Sequence, residues 1–212
     1  MKNISQFEYL ITGCGRSGTG YFAKMLTANN IECGHEEYYG IKINSTRKKN
    51  NSESSWLAVP YIKNNLNSKI IKIFREPISN IKSTHDRLLF STKRKDCPFQ
   101  KHILNYIPEI DIKNKTMIEN AALYYIHWNL LFDKLIDNEY YELVHLDSLV
   151  IKDNVILYDK KFNTINEVVN KNKNFKLNIN KKDVIIKLKK HNLYDRVMEV
   201  YSNMLNNKFR KI

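Results

Sequence analysis

The sequence predicts an α/β fold in three layers, with a central parallel sheet flanked by helices, on the strength of three observations. The apolar run Phe7-Glu8-Tyr9-Leu10-Ile11-Thr12 breaks into a glycine-rich turn and then into a helical apolar period. A β-branched run, Ile70-Ile71-Lys72-Ile73-Phe74, is followed by Pro77, a residue suited to the first turn of a helix. Strands that alternate with helices imply a parallel sheet covered on both faces, and ligands of such folds bind beyond the carboxyl ends of the strands.

In chain order, residues 7–12 read as a buried strand. A helix from about Thr19 to Asn29 follows, because Tyr21, Phe22, Met25 and Leu26 recur at helical spacing. Ile31–Gly34 is a short second strand, residues 42–55 read as a mobile loop rich in Lys, Asn and Ser, and Trp56–Leu66 as a short helix. Ile70–Phe74 is the third strand, and Pro77 starts a helix running toward Phe90. The segment Ser91–Lys101, with Lys93, Arg94, Lys95, Lys101 and Pro98, reads as an exposed basic connection. Thr116–Ile136 is a long helix whose apolar face comprises Ile118, Ala122, Tyr125, Ile126, Leu130 and Leu135. A strand over Tyr140–Leu146 and helices near Ile165–Asn170, Asp183–Lys190 and Leu193–Leu205 complete the chain, with no internal repeat and no domain boundary.

A length of 212 residues suits a single domain over residues 1–212. With 42% hydrophobic and 27% charged residues, neither disorder nor a fibrous repeat is a credible class. No stretch approaches a membrane span, and Met1–Gln6 lacks a signal-peptide apolar segment, so the expected location is cytoplasmic. Cys14, Cys33 and Cys97 are odd in number and lack metal-knuckle spacing, which makes reduced thiols the expectation. The formal charge of +13 predicts an anionic partner, unless the lysines, dispersed among Asn and Ile, simply reflect a biased codon supply.

The run Gly13-Cys14-Gly15-Arg16-Ser17-Gly18-Thr19-Gly20 lies between a strand and a helix, so successive backbone N–H groups and the helix dipole can converge on an anion. A nucleoside triphosphatase loop would carry Lys where Thr19 stands, and a magnesium-binding hydroxyl where Gly20 stands. The third strand ends in Arg75 rather than in a carboxylate. The fixed cation sits inside the loop, at Arg16. A sulfuryl group bears less charge than a phosphoryl group and can be handled by Arg and amide donors without a metal.

These residues resemble the sulfotransferases that use 3′-phosphoadenosine 5′-phosphosulfate (PAPS), and the resemblance implies a P-loop NTPase-like fold. Gly13–Thr19 looks like that family's 5′-phosphosulfate loop in its Arg-Ser-Gly-Thr form. The family's second signature is an Arg at a strand end, a Pro two residues on and a Ser eight residues on, which together hold the 3′-phosphate; Arg75, Pro77 and Ser83 match it. The resemblance thus assigns Gly15, Arg16, Ser17, Gly18, Thr19, Gly20, Arg75 and Ser83 to donor binding. It is strongest over residues 8–37 and 70–83. Glu142–Leu149 looks like a later strand and acidic turn of the family, of importance mainly to the fold. Gly20 departs from the second Thr common after Gly-Thr, and the glycine-rich C-terminal segment of the cytosolic small-molecule enzymes is missing.

On the acceptor side, Cys33-Gly34-His35-Glu36-Glu37 should lie beside the loop. Removing the acceptor proton in the transition state is a task for Glu or His, and the family resemblance points to Glu36 as base, with His35 the alternative and Glu37 third. Adjacent residues on an extended segment point to opposite sides, so His35 and Glu36 are expected to serve different roles. Trp56 could present a flat surface to a sugar ring, and His85 and Arg87 could line the acceptor cleft; core packing for Trp56 and an exposed helix face for the other two remain open alternatives. His127 and Trp128 read as packing residues. No His or Cys has metal-ligand spacing, so no metal is expected. The overall expectation is metal-free sulfuryl transfer from PAPS to a hydroxyl acceptor, a carbohydrate or glycolipid ahead of a tyrosyl protein or small phenol, with no nucleic-acid partner. The rivals are a divergent P-loop kinase and a basic nucleic-acid-binding protein.

Overall fold

Tyr9–Gly13 forms β1 and is buried at every residue, as a central strand with both faces covered must be. The computed structural model describes residues 7–42, 51–94, 97–149, 152–165 and 177–209. Residues 1–6, residues 43–50 of the expected 42–55 loop, Lys95 and residues 166–170 of the helix expected near Ile165–Asn170 lie outside them. The chain divides into two compact units, one of residues 1–75, 131–171 and 207–212, the other of residues 76–130 and 172–206.

The first unit is built on β1, α1 (Thr19–Ala28), β2 (Cys33–His35), β3 (Ser52–Ser54), β4 (Lys69–Phe74) and β5 (Tyr141–His145). The five strands form one all-parallel sheet in the order β2-β3-β1-β4-β5, flanked by helices, as expected for the fold class. Alternation along the strands sorts the side chains. Tyr9, Ile11, Ile71, Ile73 and Val144 join Phe22, Met25 and Leu26 of α1 in one apolar core. Leu10, Thr12 and Lys72 turn to the other face.

Two pieces of this unit depart from expectation. Residues 52–54 are not loop but β3, a strand inserted between β2 and β1. Its polarity disguised it: Ser52 Oγ accepts from the Tyr9 amide at 3.3 Å and Ser54 Oγ donates to the Thr19 carbonyl at 2.8 Å, so both hydroxyls are satisfied although fully buried. The second is a hairpin of β6 (Asn154–Leu157) and β7 (Lys160–Asn163), which the sequence reading did not foresee. Tyr158 and Asp159 turn it with φ of 48° and 62°, both positive as a two-residue hairpin turn requires but without the glycine that usually announces one. Phe162 closes edge-to-face on Tyr9, and Tyr158 Oη donates to the Ile70 carbonyl at 2.6 Å.

Lys72 is fully buried, and Asp133 near the end of α4 (Met117–Leu135) accepts its ammonium hydrogen bond. Burial pushes the ammonium pKa down and the Asp133 carboxylate opposes that shift. The Phe132 ring lies 4.6 Å from Nζ.

The second unit is helical. Pro77 occupies the first turn of α2 (Pro77–Asp86), and Glu76 caps it, accepting from the Ile78 and Ser79 amides at 2.8 and 2.9 Å. α2 packs on α6 (Lys181–Lys190), and α7 (Tyr194–Phe209) follows. The expected basic connection is only partly exposed. Pro98 opens α3 (Pro98–Leu104), and Gln100 is buried with its amide donating to the Leu89 carbonyl at 2.6 Å. Phe90, Tyr124 and Trp128 pack together, so Trp128 is a core residue. Leu130, assigned to the apolar face of the long helix, is instead exposed. No helix among the described residues is long and apolar enough to cross a membrane.

Removing one partner of the Lys72–Asp133 pair should cost more than replacing both. Asp133→Ala is expected to lower the unfolding free energy by about 3 kcal/mol, while Lys72→Met with Asp133→Leu stays near wild type. Urea denaturation of the three proteins checks the order.

Candidate active site

β1 and β4 are neighbours in register, Gly13 opposite Ile73, so the turn after β1 and Arg75 after β4 leave the same edge of the sheet. The approach is close. A Cβ at Gly13 would lie 2.1 Å from the Ile73 carbonyl oxygen, and Gly13 holds φ +151°. Gly18 is the second constrained position: at φ +107° its α-carbon faces the Leu146 side chain, which a Cβ would meet at 2.6 Å. Leu146 opens the short helix α5 (Leu146–Leu149) after β5, so the third strand edge also reaches the loop.

Between these glycines the backbone folds back on itself. Arg16 takes a left-handed φ of 71°, and the Ser17 amide donates to the Cys14 carbonyl at 3.1 Å. Ser17 and Thr19 are buried while Arg16 is half-exposed. The structure therefore brings Gly15, Arg16, Ser17, Gly18, Thr19 and Gly20 together as one turn entering α1, with the loop at the helix N-terminus.

His35 and Glu36 come to the same place from β2. Thr19 Oγ1 and His35 Nε2 are 3.4 Å apart, and Glu36 Oε1 lies 3.7 Å from the same nitrogen. The expectation that the two side chains diverge is overturned. Strand geometry ends at His35, and Glu36 adopts a left-handed φ of 56°, which turns its carboxylate back toward the imidazole. With side-chain exposures of 41% and 26%, both stay open to an incoming molecule.

Arg75, at the end of β4, faces Asp147 with Nε 3.5 Å from Oδ1. Asp147 in turn lies 3.7 Å from His145 Nε2, and His145 Nδ1 is 3.0 Å from Ser148 Oγ. The acidic turn assigned chiefly to the fold thus meets a donor-site candidate directly. Spacing alone did not suggest it; the Asp two residues beyond β5 was the available signal.

A scan of protein-family models finds no match to the chain, and a search of curated proteins finds none. Among solved structures, the chain is similar to a sulfotransferase. That protein, from Alicyclobacillus acidocaldarius, gives a TM-score of 0.44 and 12% sequence identity over 69% of this chain and 75% of its own.

The remaining candidates fare differently. Trp56 begins a 3-10 segment (Trp56–Asn65) and is only 8% exposed, so its ring is packed rather than offered as a platform for a sugar. In the helical unit, Ser83 is half-buried on α2, His85 is buried with Nδ1 3.1 Å from Asp86 Oδ1, and Arg87 ends the helix. His85 is therefore committed to its neighbour rather than displayed on an exposed helix face. His127 lies 3.4 Å from Glu109, and burial lowers its pKa. All three cysteines are free. Among the described residues no group of three or more His, Cys, Asp or Glu is placed to hold a metal ion.

Because backbone bars the way at Gly13 but a flexible side chain does at Gly18, Gly13→Ala should destabilise the protein by about 3 kcal/mol and Gly18→Ala by less. Chemical denaturation of both variants tests the ranking.

Proposed function

We propose that the protein is a PAPS-dependent sulfotransferase acting on a hydroxyl acceptor. The observation that carries this reading is the Arg-Ser-Gly-Thr turn at the end of β1, with Arg75 leaving the adjacent strand at the same sheet edge. In this reading the backbone amides of the loop, Arg16 and the Ser17 and Thr19 hydroxyls hold the 5′-phosphosulfate of the donor. Arg16 offsets charge on the bridging oxygen as the sulfur–oxygen bond breaks. The family resemblance assigns Arg75 and Ser83 to the 3′-phosphate, and the planar donor fork of Arg suits that anion.

On the acceptor side, the hydroxyl oxygen forms the new bond to sulfur and its proton passes to the His35–Glu36 pair. A carboxylate beside an imidazole orients the ring and stabilises the imidazolium formed when it takes a proton. The two residues first weighed as competing bases therefore act as one unit, with His35 closer to the donor loop through Thr19. A carbohydrate or glycolipid hydroxyl remains the preferred acceptor, and the chemistry needs no metal.

Two measurements test this. 3′-Phosphoadenosine 5′-phosphate should raise the melting temperature of the wild type, and Arg75→Ala should abolish the rise; no shift at saturating nucleotide would sink the reading, and magnesium-dependent ATP turnover without PAPS would favour a kinase instead. In a screen with labelled donor, any acceptor found should be turned over about 100- to 10,000-fold more slowly by His35→Ala, with nucleotide binding retained, the range removal of a general base produces.

A further inference from the structure

We propose that Glu53 is a positioning residue for the His35–Glu36 pair, its buried carboxylate fastening the turn that carries Glu36 to the central sheet through the backbone amides of Tyr38 and Tyr39. Glu53 is the middle residue of β3, opposite Gly34 of β2 and Leu10 of β1, and is 1% exposed. Its Oε1 accepts from the Tyr38 amide at 3.0 Å and from the Tyr39 amide at 3.2 Å. Successive amides converging on one oxygen form a concave anion cup. Here the anion is supplied by the protein itself.

The rest of the turn is already tied down at its ends. The Glu36 amide donates to the Ser54 carbonyl at 3.2 Å, and Ser55 Oγ donates to the Tyr39 carbonyl at 2.7 Å. Beyond it, the Tyr39 ring stacks on Tyr61, and its hydroxyl accepts from Asn65 Nδ2 at 2.6 Å. Glu53 thus holds the one stretch, residues 37–39, that joins a fixed Tyr39 to a left-handed Glu36. A core position in a parallel sheet ordinarily takes an apolar side chain. An apolar residue here would leave the Tyr38 and Tyr39 amides without this acceptor.

Protonation tunes this clamp. Burial raises the Glu53 carboxyl to about 7, against hydrogen bonds from the Tyr38, Tyr39 and Glu37 amides that lower it; the Glu37 carboxylate adds to the rise. The other titratable groups around it are the Cys33 thiol and the Tyr39 phenol, both pushed up mainly by burial and also by the Glu53 charge. Because the folded pKa stands above the ordinary 4.5, the stabilising contribution of this group is full below 4.5 and is lost as pH rises through about 7. The amide bonds follow the opposite course, strongest once the carboxylate is charged. The turn is therefore held most firmly above neutrality, at some expense of fold stability.

The inference rests on the role given to His35 and Glu36 above, and its test separates the two. In the full chain labelled with ¹⁵N and ¹³C, the Tyr38 and Tyr39 amide resonances should share an inflection near pH 7. Glu53→Gln keeps an acceptor oxygen but not the charge, so the inflection should vanish while the His35 ring resonances above pH 7 stay at their wild-type positions. Glu53→Ala should displace those ring resonances. Relative to wild type, Glu53→Gln should also lose less melting temperature as pH rises from 4.5 through about 7. An inflection that survives in Glu53→Gln, or its absence in wild type, overturns the proposal, as do unmoved ring resonances in a folded Glu53→Ala. If Glu53→Ala does not fold, Glu53→Gln decides alone. These readouts use no ligand, so a wild type that ignores 3′-phosphoadenosine 5′-phosphate strikes the sulfotransferase reading and leaves the clamp standing.

Discussion

The close parallel pairing of β1 with β4 is the constraint on which the rest of the site depends. At its carboxyl end the two backbones approach until nothing larger than hydrogen fits at Gly13 against the Ile73 carbonyl. Closer strands mean closer exits: the loop that turns at Arg16 and Gly18 and the side chain of Arg75 emerge from one edge. β5 extends that edge by one strand, placing Leu146 over Gly18 and Asp147 beside Arg75. The ion pair between Arg75 and Asp147 is part-exposed, where such pairs contribute little to stability. Its weight lies in orientation, since a carboxylate at Nε constrains how the guanidinium plane can turn toward an anion.

What could be read from the sequence, and what could not, follows from how each element announces itself. β1, α1 and β4 were legible because apolar periodicity and a glycine-rich turn or Pro77 mark their ends. β3 was not, because Ser-Glu-Ser has the composition of a loop and is a strand only by virtue of partners elsewhere in the chain: Tyr9, Thr19, Tyr38 and Tyr39. The β6–β7 hairpin was hidden by a turn of Tyr158 and Asp159, where non-glycine residues hold positive φ. In the site, the loop was expected from its glycine-rich strand-to-helix turn, and Arg75 from the family resemblance. The meeting of His35 with Glu36 was not, since it depends on a single dihedral angle at Glu36 that leaves the strand. For Trp56 the sequence left a sugar platform and core packing both open, and the choice turns on a burial that only the folded chain shows.

The sheet also carries two buried charges of opposite sign, and their separation explains why each has its own partner. Glu53 sits beside Leu10 on one flank of β1 and Lys72 beside Thr12 on the other, and both turn to the face away from α1. Two strand spacings and a two-residue offset put their backbones roughly 12 Å apart. At that range two unit charges attract by only about 1 kcal/mol with an effective dielectric near 20, whereas burying each ion costs several. Mutual attraction therefore cannot support either one, and each must be satisfied where it stands.

The two solutions differ in kind, and the difference bears on function. Lys72 is answered by Asp133, a side chain on a helix, so the pair joins sheet to helix. Glu53 is answered by main-chain amides of the segment that carries Glu36, three and four residues beyond His35. A side-chain partner can be exchanged for an apolar pair with little loss, because both charges leave together. A backbone amide is removed only by proline, never by changing the side chain. Any replacement at position 53 must still present an acceptor to Tyr38 and Tyr39, which makes a carboxylate or carboxamide there a requirement of the turn rather than of the sheet. An ionisable residue in the middle of a parallel strand is thus explained by the geometry it imposes at the sheet's edge, where His35 and Glu36 meet Thr19.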